Sequence, residues 1–365
     1  ATTAATLTST GTVTQSAAIT TPTLTLTGVA GTFTLNSVNN AITTLDADNT
    51  ALTALAFQDN TGFAVAGSNT TGNTTLSSTG TVTETAVITA AGLELLGAAG
   101  IFTLNTQNNA ITTLAGNTGT VSFQDNTGFA IGMVNTVGLT ATTAATLTST
   151  GTVTQSAAIT TPTLTLTGAA GTFTLNGAGN AITTLDANNT ALTALNFKED
   201  SGFAVAGSNT TGDTTLESVG GTVTETALIN ATGLELLGAG GTFTLNTQAN
   251  TITTLAGNTG TVRFQDNTGF AIGTVTTVGL TTTGNTTLSS TGTVTESAVI
   301  TAAGLELLGA AGIFTLNTQN NAITTLAGNT GTVSFQDNTG FAIGTVNTVG
   351  LTATTAATLT STNTV

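Results

Sequence analysis

The chain has 365 residues, of which only 5% are charged, and 17 acidic side chains against two basic ones give a net charge of -15. It contains no His, Cys, Trp or Tyr, which excludes Ser-His-Asp triads, cysteine nucleophiles and the usual zinc and haem ligand sets. The two cations, Lys198 and Arg263, are too few to neutralise phosphate groups, which excludes binding to nucleic acid or to anionic membranes.

Taken in chain order, the sequence is a repeat inside a repeat. Residues 141–170 copy residues 1–30 with one substitution, Val29 to Ala169, so the long unit has a period of about 140 residues. Each long unit splits into two similar halves, and the 15 phenylalanines fall into five triplets, one triplet per half-unit. The half-units are 1–70, 71–140, 141–210, 211–281 and 283–352, followed by the partial repeat 353–365.

The two ends of the chain are in the same phase of the repeat. Residues 353–365 restart the unit that opens at 1–13, and neither end carries the atypical capping repeat that finite solenoids use to stay soluble. We therefore expect one continuous solenoid over residues 1–365 that is an excerpt of a longer array. No run of about twenty apolar residues predicts a membrane-spanning helix, so no direct membrane insertion is expected.

Each half-unit is a series of short segments with alternating polar and apolar residues. Those of the second half-unit read TVTETAVIT, GLELLG, IFTLN, AITTL, TVSF and FAIG. They are rich in β-branched residues and are separated by Gly, Asn and Asp, which indicates strands and turns rather than helices.

This pattern predicts an all-β parallel β-helix. We expect about three coils of about 23 residues in each half-unit, with four shorter coils as the alternative, and Leu, Ile, Val and Phe pointing inward. At about 4.8 Å per coil, roughly 16 coils would form a rod about 75 Å long.

The sequence QDNTG at 124–128 recurs between two phenylalanines, Phe123 and Phe129. It could be a repeated cation or glycan contact, or a turn exposed to water. In the third half-unit the same place reads KEDSG, at 198–202, and a metal site would not accept that exchange, whereas a turn would. The sequence therefore favours a turn.

Asp46 and Asp48 in the sequence DADN are the only candidates for calcium ligands. The matching DANN at 186–189 has lost one carboxylate, and the distal Glu and the Gly of an EF-hand are missing. Two carboxylates supply too few of the six to eight oxygen ligands that calcium takes. No metal site and no cofactor are therefore predicted.

Two glutamates recur about ten residues apart in one type of half-unit. Paired carboxylates at one cleft could hydrolyse glycosidic bonds, but here the copies are spread along the chain, which favours a solvated polar face. The sequence thus predicts no catalytic residue. The glutamates are Glu84, Glu94, Glu225, Glu235, Glu296 and Glu306.

Thr-x-Thr runs, such as residues 23–27 and 81–83, raise the alternative of an ice-binding face. Such a face needs one flat array of Thr pairs, whereas the threonines here are spread over several strand positions. Their abundance is explained by the suitability of Thr for strands.

The segments TVTQSAAIT, TTGNTTLSSTG and residues 304–352 carry a resemblance. They resemble the repeats of filamentous-haemagglutinin-like large exoproteins of Gram-negative bacteria, and the similarity covers essentially the whole chain. The resemblance implies a right-handed parallel β-helix that forms the shaft of a secreted or cell-surface adhesin. It also implies an outer-membrane partner for two-partner secretion and an extracellular location.

Together these features predict a structural, non-enzymatic shaft that acts in adhesion, aggregation or an extracellular coat. The expected partners are further copies of the chain, associating end to end or side to side, and a glycan or protein receptor on a host or neighbouring cell. The alternatives are a β-helical polysaccharide-degrading enzyme and an ice-binding solenoid.

Overall fold

The computed structural model describes residues 3–362. These residues form 27 strands joined by turns and bends, and they contain no helix. It follows that no helical segment within 3–362 has the length and hydrophobicity needed to cross a bilayer. The chain divides into two compact units, Ala1–Ile182 and Thr183–Val365, and each is described by itself.

The first unit contains fifteen complete strands. They are β1 (Ala5–Thr8), β2 (Thr12–Thr14), β3 (Thr20–Thr27), β4 (Thr32–Leu35), β5 (Ala41–Leu52), β6 (Ala54–Gln58), β7 (Gly62–Thr70), β8 (Asn73–Ser77), β9 (Thr81–Leu104), β10 (Ala110–Gln124), β11 (Gly128–Ile131), β12 (Leu139–Thr148), β13 (Thr152–Gln155), β14 (Ile159–Thr167) and β15 (Thr172–Leu175). The next strand, β16 (Ala181–Leu192), contains the boundary between the units.

The second unit continues with eleven strands. They are β17 (Ala194–Lys198), β18 (Ala204–Thr210), β19 (Asp213–Glu217), β20 (Thr222–Asp266), β21 (Ala271–Ile272), β22 (Leu280–Thr282), β23 (Asn285–Ser289), β24 (Thr293–Glu296), β25 (Ile300–Asp337), β26 (Ala342–Ile343) and β27 (Leu351–Ser361). β20 is 45 residues long and β25 is 38 residues long, because strand pairing continues around the corners of successive coils.

Strand pairing is parallel throughout both units, and each coil pairs with the next. Seven successive pairings lead from Val13 to Gln155. The hydrogen bond between Thr75 and Glu94 joins adjacent coils across 19 positions of the chain, and the corresponding bond of the second unit crosses 20 positions. Each unit is therefore a parallel β-solenoid, and the predicted all-β, β-helical fold class is confirmed. The prediction of one continuous solenoid over 1–365 stays a prediction.

The coils are somewhat shorter than the sequence pattern predicted, so each half-unit covers three and a half coils. Phe33 belongs to the stack that contains Leu93 and Leu114, whereas its counterpart Phe102 pairs with Val121 on the other side of the coil. Equivalent residues of neighbouring half-units in one unit thus lie on opposite sides. Two half-units make seven whole coils, which explains why the sequence repeats most closely over the long unit.

The interior of the solenoid holds the apolar residues. All 15 phenylalanines are buried, and so are inward residues of the first unit such as Leu24, Leu45 and Val65. The second and third phenylalanines of every half-unit meet edge to face, with ring centroids 5.0 to 5.3 Å apart. Because a half-coil offset separates neighbouring copies, equivalent rings of neighbouring half-units do not stack in one file.

Candidate functional site

The QDNTG segment forms a corner with a turn at Asn126 and Thr127, and Thr127 is exposed whereas the acid of the segment is buried. Asp125 is 0% exposed. Its Oδ1 accepts hydrogen bonds from the Thr127 backbone N–H at 2.8 Å and from the Thr127 hydroxyl at 2.6 Å. Its Oδ2 accepts the Ile111 N–H of the preceding coil at 2.8 Å. The carboxylate therefore joins the corner to the coil before it, and the expectation that this acid lies in water is wrong.

Three other half-units repeat this arrangement with a buried aspartate. The equivalent residues are Asp59, Asp266 and Asp337.

In the third half-unit a glutamate takes the place of the buried aspartate at this corner. In KEDSG, Glu199 is the buried residue and accepts the Ser201 hydroxyl at 2.7 Å and the Gly202 N–H at 2.6 Å. Lys198 instead extends to Glu217, with a distance of 2.8 Å between Nζ and Oε1. The exchange that spoke against a metal site thus preserves a buried carboxyl acceptor at the corner.

Glu84 lies at a second type of corner and is 4% exposed. Its Oε1 accepts the backbone N–H groups of Thr106 and Gln107, both at 2.9 Å. Its Oε2 is buried and has no hydrogen-bond partner. Glu225 has the same arrangement, with Oε1 bonded and Oε2 unpartnered.

Glu94 lies on the same strand as Glu84 but in a different setting. It is 2% exposed, and both of its oxygens are satisfied. Oε1 accepts the N–H and the hydroxyl of Thr136, each at 2.6 Å. Oε2 accepts the Asn135 amide at 2.8 Å and the Thr75 hydroxyl at 2.9 Å. Glu94 therefore fixes the loop at 132–138 on the outside of the solenoid.

The loop at 132–138 is a small hairpin, closed by an antiparallel bridge between Met133 and Val137. Gly138 N–H also donates to the Gly132 carbonyl at 2.7 Å. The second unit has two equivalent hairpins, at 273–279 and 344–350, whose threonine N–H groups each donate at 2.6 Å to Glu235 and Glu306. We call these three segments the hairpin loops.

Each hairpin loop also requires a glycine beneath it. A Cβ atom on Gly92 would lie 2.9 Å from Val134 Cγ2, which is closer than real Cβ contacts allow. Gly233 and Gly304 meet Val275 and Val346 in the same way.

Half-units without a hairpin loop also lack the second glutamate. Thr25 and Thr165 stand in its place there. The glutamate, the glycine and the hairpin loop thus form one structural element. Sequence reasoning missed this element, and its signal was the joint occurrence of the motifs GLEL and GxVxTVG.

The pKa values of the two types of glutamate are shifted in opposite directions. Burial raises the pKa of Glu84, and the backbone N–H groups of Gln107 and Thr106, together with the nearby Asn109 side chain, offset only part of that effect. Burial also raises the pKa of Glu225 and Glu296. Burial acts on Glu94 as well, but the donors Thr136, Asn135 and Thr75 together outweigh it and lower its pKa. The pKa of Glu306 is lowered in the same way.

The recurring glutamates do not form the predicted solvated face. All six are buried, and 11 of the 17 carboxyl side chains of the chain are buried, so most of the acidic groups are internal and the outer surface is mainly hydroxyl and amide. The prediction failed because a glutamate that accepts loop N–H groups is favourable inside, where an unpaired backbone donor would be costly. The two glutamates of one half-unit bind different loops.

The structure brings the calcium candidates Asp46 and Asp48 together near the surface. Burial and the neighbouring Asp46 raise the pKa of Asp48. Asp46 accepts the Asn49 amide at 2.8 Å and the Thr25 hydroxyl at 3.4 Å. Within residues 3–362 no group of three or more His, Cys, Asp or Glu side chains is placed to hold a metal ion. The prediction that the chain has no metal site stays a prediction.

Comparison with models of protein families, with curated proteins and with solved structures finds no match to this chain. The chemistry of the candidate site therefore has to be taken from its own geometry. The recurring carboxyl groups accept hydrogen bonds from the protein's own loops, so their role in this geometry is to hold those loops in place.

Proposed function

We propose that this chain is a structural, non-enzymatic shaft of a secreted or bacterial cell-surface adhesin or fibre. The observation that carries the proposal is that the recurring carboxyl groups bind loops and corners of the chain itself. Glu94, Glu235 and Glu306 each hold a hairpin loop, and Asp125 and its counterparts hold a corner to the previous coil. A side chain that is committed to the fold in every copy is suited to repetition, and repetition of coils is how a shaft is built.

The composition of the surface supports the same proposal. With 11 of 17 carboxyl groups buried, few carboxylates lie on the outside, where they would come into direct contact with those of a neighbouring copy of the chain. The surface instead presents Thr, Ser, Asn and Gln. The extracellular location, the secretion partner and a cell-surface receptor rest on the resemblance to filamentous-haemagglutinin-like exoproteins.

A bead assay tests the adhesive function. The purified chain is coupled to beads, which are mixed with each other and with bacterial or host cells, and clumping is counted against beads that carry an unrelated acidic protein. The proposal expects clumping of the beads or attachment to cells. Beads that stay dispersed and bind no cell type would overturn it.

Self-association has a separate test. Sedimentation velocity over a wide concentration range should show species larger than the single chain as the concentration rises. A single chain at every concentration would contradict self-association. The enzyme alternative predicts turnover of a polysaccharide, so release of reducing ends or unsaturated products from any member of a broad glycan panel would replace the proposal.

A further inference from the structure

Glu84 and Gln15 occupy equivalent positions in neighbouring half-units, within TVTET and TVTQS. Both side chains accept a backbone N–H of the next coil through their Oε1 atom: Gln15 from Ser37 at 3.1 Å, and Glu84 from Thr106 at 2.9 Å. The same position therefore tolerates either an amide or a carboxyl group, and the Oε1 atom does the same work in both.

The two residues differ in the second polar atom of the side chain, which is Nε2 in Gln15 and Oε2 in Glu84. Gln15 Nε2 donates to the Ala17 carbonyl and to Asn40 Oδ1, both at 2.7 Å. Gln155 repeats this pattern, with Nε2 donating to the Ala157 carbonyl at 2.9 Å. In these two half-units the position calls for a hydrogen-bond donor. Glu296, the third glutamate at this position, differs because its Oε2 accepts the Asn321 amide at 2.9 Å.

An ionised glutamate has no donor to offer there. Glu84 Oε2 and Glu225 Oε2 are both buried and unpartnered. A buried, unsatisfied carboxylate oxygen is costly. A proton on that oxygen would turn the carboxyl group into the equivalent of a glutamine amide, with one acceptor and one donor.

We propose that Glu84 and Glu225 are protonated at Oε2 in the folded protein, and that they act as glutamine equivalents which tighten their coil junctions in acid and loosen them as the pH rises. The inference is independent of the proposed function.

The surroundings of Glu84 are acidic. The titratable groups on the elements next to it are Asp59, ahead of β7, Asp125, after β10, and Glu94, on β9 itself. All three are acids that accept hydrogen bonds from loop residues, so none supplies a cation to hold Glu84 ionised. Residues 3–182 contain no Lys or Arg.

The surroundings of Glu225 include two cations, and one of them has acidic partners of its own. Lys198 is bonded to Glu217 at 2.8 Å, and Arg263 donates to Asn347 at 3.2 Å. The titratable groups on the elements next to Glu225 are Lys198, Glu199, Asp213, Glu217, Glu235, Arg263 and Asp266.

The sign of the pH effect follows from linkage. Burial raises the pKa of Glu84 and Glu225, so the folded state binds these protons more tightly than the unfolded state. Their contribution to stability is complete below the unfolded pKa and is lost as the pH rises through the raised pKa.

The test compares the thermal unfolding of the native chain with that of the double variant Glu84→Gln and Glu225→Gln. Both are measured at about pH 4 and at about pH 8. These two pH values lie on either side of the range in which ordinary and raised carboxyl groups titrate. We expect the two midpoints to coincide at the lower pH, and the variant to unfold at a midpoint several degrees higher at the upper pH. A variant midpoint equal to or below that of the native chain at the upper pH would overturn the proposal.

Glu94→Gln is the matched control, because it makes the same chemical change ten residues further along the same strand. Both Glu94 oxygens accept hydrogen bonds, so an amide NH2 there would face other donors and the midpoint should fall. An infrared spectrum provides a readout that does not depend on stability. The band of protonated carboxyl groups should persist in the native chain at a pH above the ordinary glutamate range and be weaker in the double variant. Its absence from the native chain would also overturn the proposal.

Discussion

The backbone N–H of Thr136 donates a hydrogen bond of 2.6 Å to Glu94 Oε1 across 42 residues of chain. Those residues make two coils of the solenoid, so one carboxylate connects the outside of one coil to a loop that leaves from a later coil. Hydrogen bonds to charged groups are worth about 1.5–3 kcal/mol in proteins. The hairpin loop is therefore part of the folded structure and not a free appendage.

Gly92→Ala should displace the hairpin loop at 132–138. The new Cβ would lie 2.7 Å from Asn73 Oδ1 and 2.9 Å from Val134 Cγ2, and overpacking of this kind costs about 1–3 kcal/mol. Amide hydrogen exchange of Thr136 should accelerate in the variant. Gly220→Ala is the control, because no atom of a non-neighbouring residue lies within 4 Å of its Cβ position. If the Thr136 amide exchanged equally fast in both variants, the hairpin loop would not depend on the contact between Val134 and Gly92.

Asp125→Asn should destabilise the first unit by about 1–3 kcal/mol in urea unfolding, because the amide NH2 would face either the Ile111 or the Thr127 N–H and leave a buried donor unsatisfied. Asp48→Asn is the control at an exposed acid. Asn188 already occupies the equivalent position in the other long unit. A loss of stability in the Asp48 variant as large as that in the Asp125 variant would contradict this account.

Phe123→Ala should cost about 3–5 kcal/mol, the range for removing a buried aromatic ring. Phe123 is fully buried and its ring meets Phe129 at 5.2 Å and 88°. Val137→Ala on the hairpin loop should change stability by less than about 0.5 kcal/mol, since Val137 is 66% exposed. Denaturant unfolding of the two variants measures both values, and similar losses would contradict the assignment of the core.

The two glutamates of β9 should titrate in a definite order. A carboxyl-carbon NMR titration should place the midpoint of Glu94 below the ordinary glutamate range and that of Glu84 above it, because donors dominate at Glu94 and burial dominates at Glu84. A lowered pKa means that Glu94 contributes stability above its unfolded pKa and loses it as the pH falls through its folded pKa. The reverse order of midpoints would contradict the hydrogen bonding described at both residues.

The fold class was predictable because alternation and repetition are local properties of the sequence. Segments such as IFTLN alternate with period two, and Val121, Phe123, Phe129 and Ile131 are all buried, as the alternation predicts. The number of coils per half-unit was harder to predict. It depends on how many residues each corner takes, and the spacing differs between successive pairings, such as Leu114 with Ile131 and Ile131 with Gln155.

The roles of the acids were not predictable from residue type. A Glu in a Thr-rich strand normally indicates a solvated position, and nothing in the segment TVTET shows that the N–H groups of Thr106 and Gln107 lie over it one coil later. The contact between Thr106 and Glu84 spans 22 residues of chain. Only the register between coils, which the corners set, brings them together.

The central claim is that the recurring glutamates hold the fold. The most direct measurement is amide hydrogen exchange of Thr136, Thr277 and Thr348 in the triple variant Glu94→Gln, Glu235→Gln and Glu306→Gln, whose native carboxylates accept these three N–H groups at 2.6 Å. Loss of about 1.5–3 kcal/mol per site predicts exchange about ten- to a hundredfold faster at all three amides than in the native chain. Unchanged protection at these amides would show that the glutamates do not hold the hairpin loops, and would contradict the claim.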